Sequence, residues 1–300
     1  MSTQFEAKEL REIFTRDGAG LFLHVLPEDA FAEWHIPGSK NLCVYESAFP
    51  VKVGEAFPDK DAALVVYSFN DDTREAEVAL ETLLRAGYTK ARRLTGGLAS
   101  WAAAGGAVEG PGPAARGSLS GRYVVDVERS VIFWTGRNLF NHHTGSLSLR
   151  EGSAELRDDA LVAASFTVDM DSIGCTDIKD PNMNALLIGH LKSDDFFAVA
   201  DYPTAQFVAK DVVSIANSTT GTDNYTVRGE FTLRGQSRPL ELSVNLAADA
   251  EGGLAAQALC DLDRTEYGGI YGSGKFFSRL GQHVVNDLVH LHLKLFLKRA

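Results

Sequence analysis

Cysteine is scarce in these 300 residues. Cys43, Cys175 and Cys260 lie far apart, and neither their odd number nor their spacing suits a disulfide framework or a metal-ligand set. A reducing compartment, the cytoplasm, is the expectation. Cations are also in short supply: 29 Lys and Arg stand against 40 Asp and Glu, a formal charge of -11. That balance opposes counterion-release binding to a phosphate backbone and adhesion to anionic membrane surfaces, so nucleic acid is not an expected partner. No apolar run approaches the eighteen or so residues of a transmembrane segment. The opening MSTQFEAKELREIFTRDG alternates charged and apolar residues and has neither the basic start nor the apolar centre of a signal peptide.

What is present is 45% apolar content, enough for packed cores, in a length that suits about two domains. The two halves differ in rhythm. Up to residue 109, helical patterns (FEAKELREIFTRDG, EDAFAEW, REAEVALETLLRAGY) alternate with short apolar strands (LFLHVL, ALVVY). That order predicts an α/β domain over residues 1–109 built on a parallel sheet. Residues 110–120, within GPGPAARGSLSG, have no apolar periodicity and read as a linker.

From residue 121 to 300 the period is two. In YTVRGEFTLR, Tyr225, Val227, Phe231 and Leu233 share a face with Gly229, and charged or polar residues hold the other face. The same alternation runs through SVIFWTG, HTGSLSLRE, VAASFTVDM, PLELSVNL and VHLHLKLFL, which predicts an antiparallel β-barrel or sandwich. One stretch departs from it. DPNMNALLIGHLKSDDFF, residues 180–197, spaces Met183, Leu186, Leu187 and Leu191 as a helical stripe behind an Asp180 N-cap and Pro181, a short helix covering one end of the barrel.

An antiparallel barrel of about eight strands either fills with its own side chains or holds one small ligand. Here bulky rings alternate with small residues: Ala164, Phe166, Val168 and Met170 share a face, as do Ala205 and Phe207. SVIFWTG is apolar on both faces, so one face is expected to line the lumen and the other to pack under the helix. Each of Trp134, Phe166, Phe207 and Phe231 alone is ordinary core; together they make an apolar wall suited to a prenyl or acyl chain. Polar candidates for its head are Arg137, Asn138, His142 and His143 in GRNLFNHHTG, and Lys275, with Phe276, in YGSGKFF. Arg and Lys suit a phosphate, whereas His and Asn suit a quinone carbonyl. His290 and His292 share a face with Lys294, which disfavours a cation, and no metal site is expected.

Both halves resemble known families. HIPGSKNL (35–42), ALVVYS (63–68), LLRAGY (83–88) and LTGGLASWAAAGGAVEG (94–110) resemble the successive signatures of a single-domain rhodanese. The resemblance implies a three-layer fold and a loop that opens with a nucleophilic cysteine and cradles an anion or persulfide. This sequence has Ser68 at that position, and a serine hydroxyl can neither attack sulfur nor carry it. His24, Val25 and Leu26 replace the family's Asp-Val-Arg, Asp71 and Asp72 enter the loop, and Arg74 stands one place later than the usual arginine. Cys43 is a conceivable substitute thiol, but its apolar setting reads as burial. The catalytic assignment is therefore none: Ser68 is a degenerate nucleophile position, and the module is expected to serve interaction with a protein partner, or regulation.

YVVDVERSVIFWTGRN (123–138), HTGSLSL (143–149), LIGHLKSDDFFAVADYPTAQF (187–207), YTVRGEFTLRGQSRPLEL (225–242) and RTEYGGIYGSGKFF (264–277) resemble the YceI-like family. That resemblance implies a lipocalin-like barrel that binds polyisoprenoid or other long-chain lipid, polyprenyl phosphate or quinone in type, with no cofactor, and it makes a homodimer an expectation. Its relatives are often exported, at odds with the cytoplasmic expectation. The competing reading is a sulfurtransferase working through a non-standard residue.

Overall fold

The computed structural model describes residues 4–8, 21–112, 119–219, 221–249 and 252–300. Most of the helical pattern expected over 5–18, and residues 113–118 of the expected linker, lie outside them. The chain divides into two compact units, residues 1–116 and 117–300.

The first unit is a parallel sheet in the order β1 (Gln4–Phe5), β5 (Arg92–Leu94), β4 (Leu64–Tyr67), β2 (Leu21–His24), β3 (Lys40–Asn41). Helices α1 (Glu28–Glu33), α2 (Phe49–Ala56), α3 (Glu75–Arg85) and α4 (Gly97–Ala103) connect the strands. Strand β4 is buried at every position because helices cover both of its faces, so it reads as an unbroken apolar run. Leu64 and Val66 join Val53, Ala79 and Leu83 of α2 and α3 in one core. Val65 and Tyr67 join Leu98 and Trp101 of α4 in another.

The second unit is a closed antiparallel barrel. Strands β8 (His142–Arg157), β9 (Ala160–Cys175), β10 (Thr204–Ser214), β11 (Tyr225–Leu233), β12 (Gln236–Ala248), β13 (Leu254–Asp263) and β14 (Leu288–Arg299) pair in succession. The eighth position, between β14 and β8, is shared by β6 (Gly121–Val125) and β7 (Val131–Arg137), which pair with different stretches of the same two neighbours. Closure leaves no open sheet edge. The period-two faces fall as the sequence predicts: Val227, Phe231 and Leu233 are buried and Arg228 and Glu230 exposed.

Helix α5 (Pro181–Lys192) is the covering helix, with Asp180 accepting from the backbone N–H groups of Asn182 and Met183. The apolar stripe is only half used. Leu191 is buried and Leu187 partly so, but Met183 and Leu186 are 55% and 66% exposed. The outer face of SVIFWTG also differs from expectation: Phe133 is 43% exposed, beside the ring of His292, because α5 packs against β9 rather than over β7. Among the described residues no helix is long and apolar enough to cross a membrane.

Candidate functional site

In the first unit, β4 delivers Ser68 into the seven-residue loop ahead of α3. Ser68 is 1% exposed, and its hydroxyl donates to the Asn70 carbonyl at 3.0 Å. The start of α4 closes on the same loop: Leu98 N–H donates to Ser68 O at 3.0 Å and Ala99 N–H to Phe69 O at 2.9 Å. A Cβ on Gly97 would sit 2.6 Å from Ser68 O, so only glycine permits this approach at its φ of +56°. Asp71 turns into the cradle as an internal anion, accepting from Gly96 N–H at 2.8 Å and from Arg93 at 2.7 Å. Arg74, one place later than the arginine of the resembled family, points away from the loop. It is largely exposed and bonds Glu77 at 2.8 Å, one helical turn on along α3. Arg93 supplies the loop's cation, a role hidden in the sequence because it comes from β5. Cys43 is half-buried just after β3.

In the second unit the lumen holds a cavity of about 340 Å³. Trp134, Phe166 and Phe231 line it, with Met170, Leu242 and Leu293 among the other apolar walls. Trp134 is fixed there by donating its indole N–H to Gly174 O at 3.1 Å. Phe231 stands edge-on to Tyr267 with centroids 5.8 Å apart. Phe166 and Phe207 face each other across β9 and β10 and stack at 5.3 Å. Phe166, with Leu242 and Leu293, lines this cavity and also a second one of about 60 Å³, whereas Phe207 lines only the second. The aromatic stack therefore marks the boundary between the two.

Exposed lining residues mark the mouth: Arg137, Asn141, Gln282 and His283. Asn138 lines it too, its Oδ1 accepting from the N–H groups of Phe140 and Asn141 at 2.8 and 2.7 Å. The Arg137 guanidinium has no partner among the described residues. His143 lines the cavity with its Nδ1 held by Asp177 Oδ2 at 2.9 Å, which leaves Nε2 as the ring nitrogen without a partner among the described residues. Burial pushes the Asp177 carboxyl up, but hydrogen bonds from Thr144 N–H, His143 and Cys175 outweigh it and hold the group well below the usual carboxylate range. The anion orients the imidazole.

Three candidates fall elsewhere. His142, one residue before His143 on β8, is exposed and outside the cavity, as strand alternation requires. Lys275 is held by ion pairs to Asp263 at 2.6 Å and Asp287 at 3.4 Å, and Phe276 is 55% exposed; neither lines the cavity. The buried cation in the wall is Arg264, 1% exposed, which the sequence reading did not single out. It donates to the backbone carbonyls of Asn286, Gly269 and Val285 and lies over the Phe196 ring at 5.2 Å, pinning the Gly-rich loop to the barrel. His290 and His292 are on the outside, bonded to Asp261 and Gln257. Among the described residues no three His, Cys, Asp or Glu side chains gather as a metal-ion cluster.

A closed barrel with an apolar cavity and a polar mouth, joined to a three-layer parallel α/β unit, defines a class of two-domain protein in which the barrel carries the ligand-sized space. The chain belongs to the YceI-like family: the YceI-like domain model matches residues 123–297, and a rhodanese-like domain model matches residues 6–104. Among solved structures, BcnA of Burkholderia cenocepacia is 19% identical, covers 57% of this chain and 98% of its own, and has a TM-score of 0.45. A polyisoprenoid binding domain from Saccharophagus degradans, implicated in plant cell wall breakdown, is 16% identical, with 59% and 98% covered and a TM-score of 0.42. The YCEI protein of Campylobacter jejuni is 18% identical, with 51% and 84% covered and a TM-score of 0.37. No protein of curated function matches the chain.

Proposed function

We propose that the barrel binds or carries an isoprenoid or other long-chain lipid, tail inward and polar head at the mouth, and that the rhodanese-like unit is an inactive module for interaction or regulation. One observation carries the reading: a cavity of about 340 Å³ walled by apolar side chains and rimmed on one side by Arg137, Asn141 and His143. Its volume falls within the roughly 300–1,000 Å³ of small-molecule sites. The free guanidinium of Arg137 suits a phosphate head, and His143 Nε2 suits a quinone carbonyl.

Extraction of the purified protein with organic solvent, followed by mass spectrometry, tests the reading directly. A co-purifying prenyl or acyl lipid is expected, and Phe166→Arg should lose it, because an unpaired guanidinium among apolar walls costs several kcal/mol. Arg137→Ala should weaken a phosphate-headed ligand, and His143→Ala a quinone, each by roughly 1–3 kcal/mol. Equal, small losses with both head types would remove these residues from the head-group site.

The second reading, sulfur transfer, is tested by thiosulfate-to-cyanide turnover. None is expected from the unmodified chain. Ser68→Cys alone should restore little, since Asp71 already occupies the Gly96 amide and Arg93 with its own carboxylate. Turnover that dies with Cys43→Ser would overturn the inactive-module reading.

A further inference from the structure

Three segments meet at the barrel mouth, and each exposes large apolar side chains there. The β7–β8 turn places Leu139 and Phe140, 84% and 64% exposed, between the cavity-lining Asn138 and Asn141. Helix α5 exposes Met183 and Leu186 beside the lining Leu187. The 270–286 loop exposes Phe276 and Phe277 between the lining Tyr271 and Gln282. The segments are tied together: the rings of His190 and Tyr271 meet at 4.4 Å, and Asn286 N–H donates to Arg137 O at 2.9 Å. The turn tip is not slack, since Asn138 hydrogen-bonds it from both side chain and backbone. Leu139 and Phe140 are thus held outward on a bonded knuckle.

Charge at this rim runs against the rest of the molecule. The chain carries -11 overall, yet residues 131–150 and 267–286 contain no Asp or Glu, while Arg137, Lys275 and Arg279 lie within them. Lys275 is neutralised by Asp263 and Asp287, but neither Arg137 nor Arg279 has an acidic partner among the described residues. Lys179, ahead of α5 and set between Asp177 and Asp180, bonds the Thr176 carbonyl. Among the nearby acids, Asp177 bonds His143, Asp180 accepts from the first amides of α5, and Asp195 pairs with His190 at 3.6 Å.

From this pairing of exposed apolar side chains with acid-free, cationic segments, we propose that the barrel mouth docks on an anionic lipid bilayer, Leu139 and Phe140 entering the headgroup boundary and Arg137 and Arg279 meeting the lipid phosphates. Apolar side chains beside cations are what an interfacial site requires, and none of the chain's acidic residues lies in these two segments. The proposal rests on the lipid-binding reading for its purpose: a docked mouth lets a tail pass from bilayer to lumen without crossing water.

The test is sedimentation of the full chain with extruded phosphatidylcholine vesicles, with and without about 30% phosphatidylglycerol. Binding to the anionic vesicles is expected, falling at least several-fold between ~0.1 and ~0.5 M salt. It should weaken about tenfold in Leu139→Ser/Phe140→Ser and separately in Met183→Ser/Leu186→Ser, so poor folding of one variant does not decide the outcome. Absence of binding, or equal binding by wild type and both variants, overturns the proposal. So does a concentration-dependent dimer, seen by sedimentation velocity, that both variants abolish while vesicles go unbound, because the face would then belong to a second copy. Loading with NBD-labelled farnesol from solution separates the two readings. Loading without vesicle binding sinks the docking alone, and vesicle binding without loading sinks the lumen reading alone.

Discussion

His24 on β2 is 1% exposed, edge-on to the rings of Phe31 and Tyr67, and accepts a hydrogen bond from Asn41 Nδ2 at its Nδ1 at 3.0 Å. Burial, helped by the neighbouring His35, lowers its pKa from 6.5 to about 4. Between those values the unfolded chain binds a proton that the folded one does not, so stability is lost as pH falls from 6.5 and levels off near 4. The whole loss is roughly 3 kcal/mol. Urea midpoints across this window should fall with pH in the wild type and much less in His24→Gln; parallel curves would show that the group is not what titrates. Gly145 raises a different constraint. A Cβ there would meet Gly174 O at 1.8 Å and the Trp134 ring at 2.5 Å, so this glycine lets the indole lie across β8 into the lumen. Gly145→Ala should cost about 1–3 kcal/mol by overpacking and move the Trp134 emission, whereas an unchanged urea midpoint would mean that the strand yields freely.

At the scale of elements, α5 depends on its first turn. Asp180 accepts from two orphan amides, Asn182 at 3.0 Å and Met183 at 2.9 Å, and Pro181 takes the position where a missing N–H is harmless. Asp180→Ala should destabilise the barrel unit by about 1 kcal/mol, read as a shift in its thermal midpoint, and Asp180→Asn should recover most of it. The start of this helix was legible, because cap, proline and spacing all lie in one stretch, whereas its end at Lys192 falls short of the 180–197 stretch. Its buried face was not, because a helix at an opening has water rather than core beneath much of its stripe. The barrel strands were legible from period two, since one face meets core and the other solvent. Helix α2 left no such trace, as Pro50 in its first turn and Gly54 inside it read as loop signals. The candidate site divides along the same line. Trp134, Phe166 and Phe231 declare themselves by strand position, whereas the pairing of His143 with Asp177 joins residues 34 apart in sequence. Arg264 is hidden further, because its hydrogen bonds go to backbone carbonyls, which no residue type announces, and its ion-pair partner at 3.8 Å, Asp287, is distant in sequence.

For the whole molecule, the two units own separate cores: two clusters on either side of the parallel sheet, and one inside the barrel. Among the described residues none belongs to both sets, as independent melting requires. Calorimetry of the full chain is expected to resolve two transitions with different sensitivities. Lowering the pH from 6.5 toward 4 should depress one of them through His24, which lies in the first unit alone. NBD-labelled farnesol should raise only the other. At a concentration one hundred times its dissociation constant, a ligand that binds the folded barrel and not the unfolded chain stabilises it by about 2.7 kcal/mol. For a unit of this size that is a rise of roughly 5–10 °C. A single transition that answers to both pH and ligand would mean that the units share stabilising contacts. A transition raised by the ligand and also depressed through His24 would place the binding site in the sheet unit and take the lumen out of the reading.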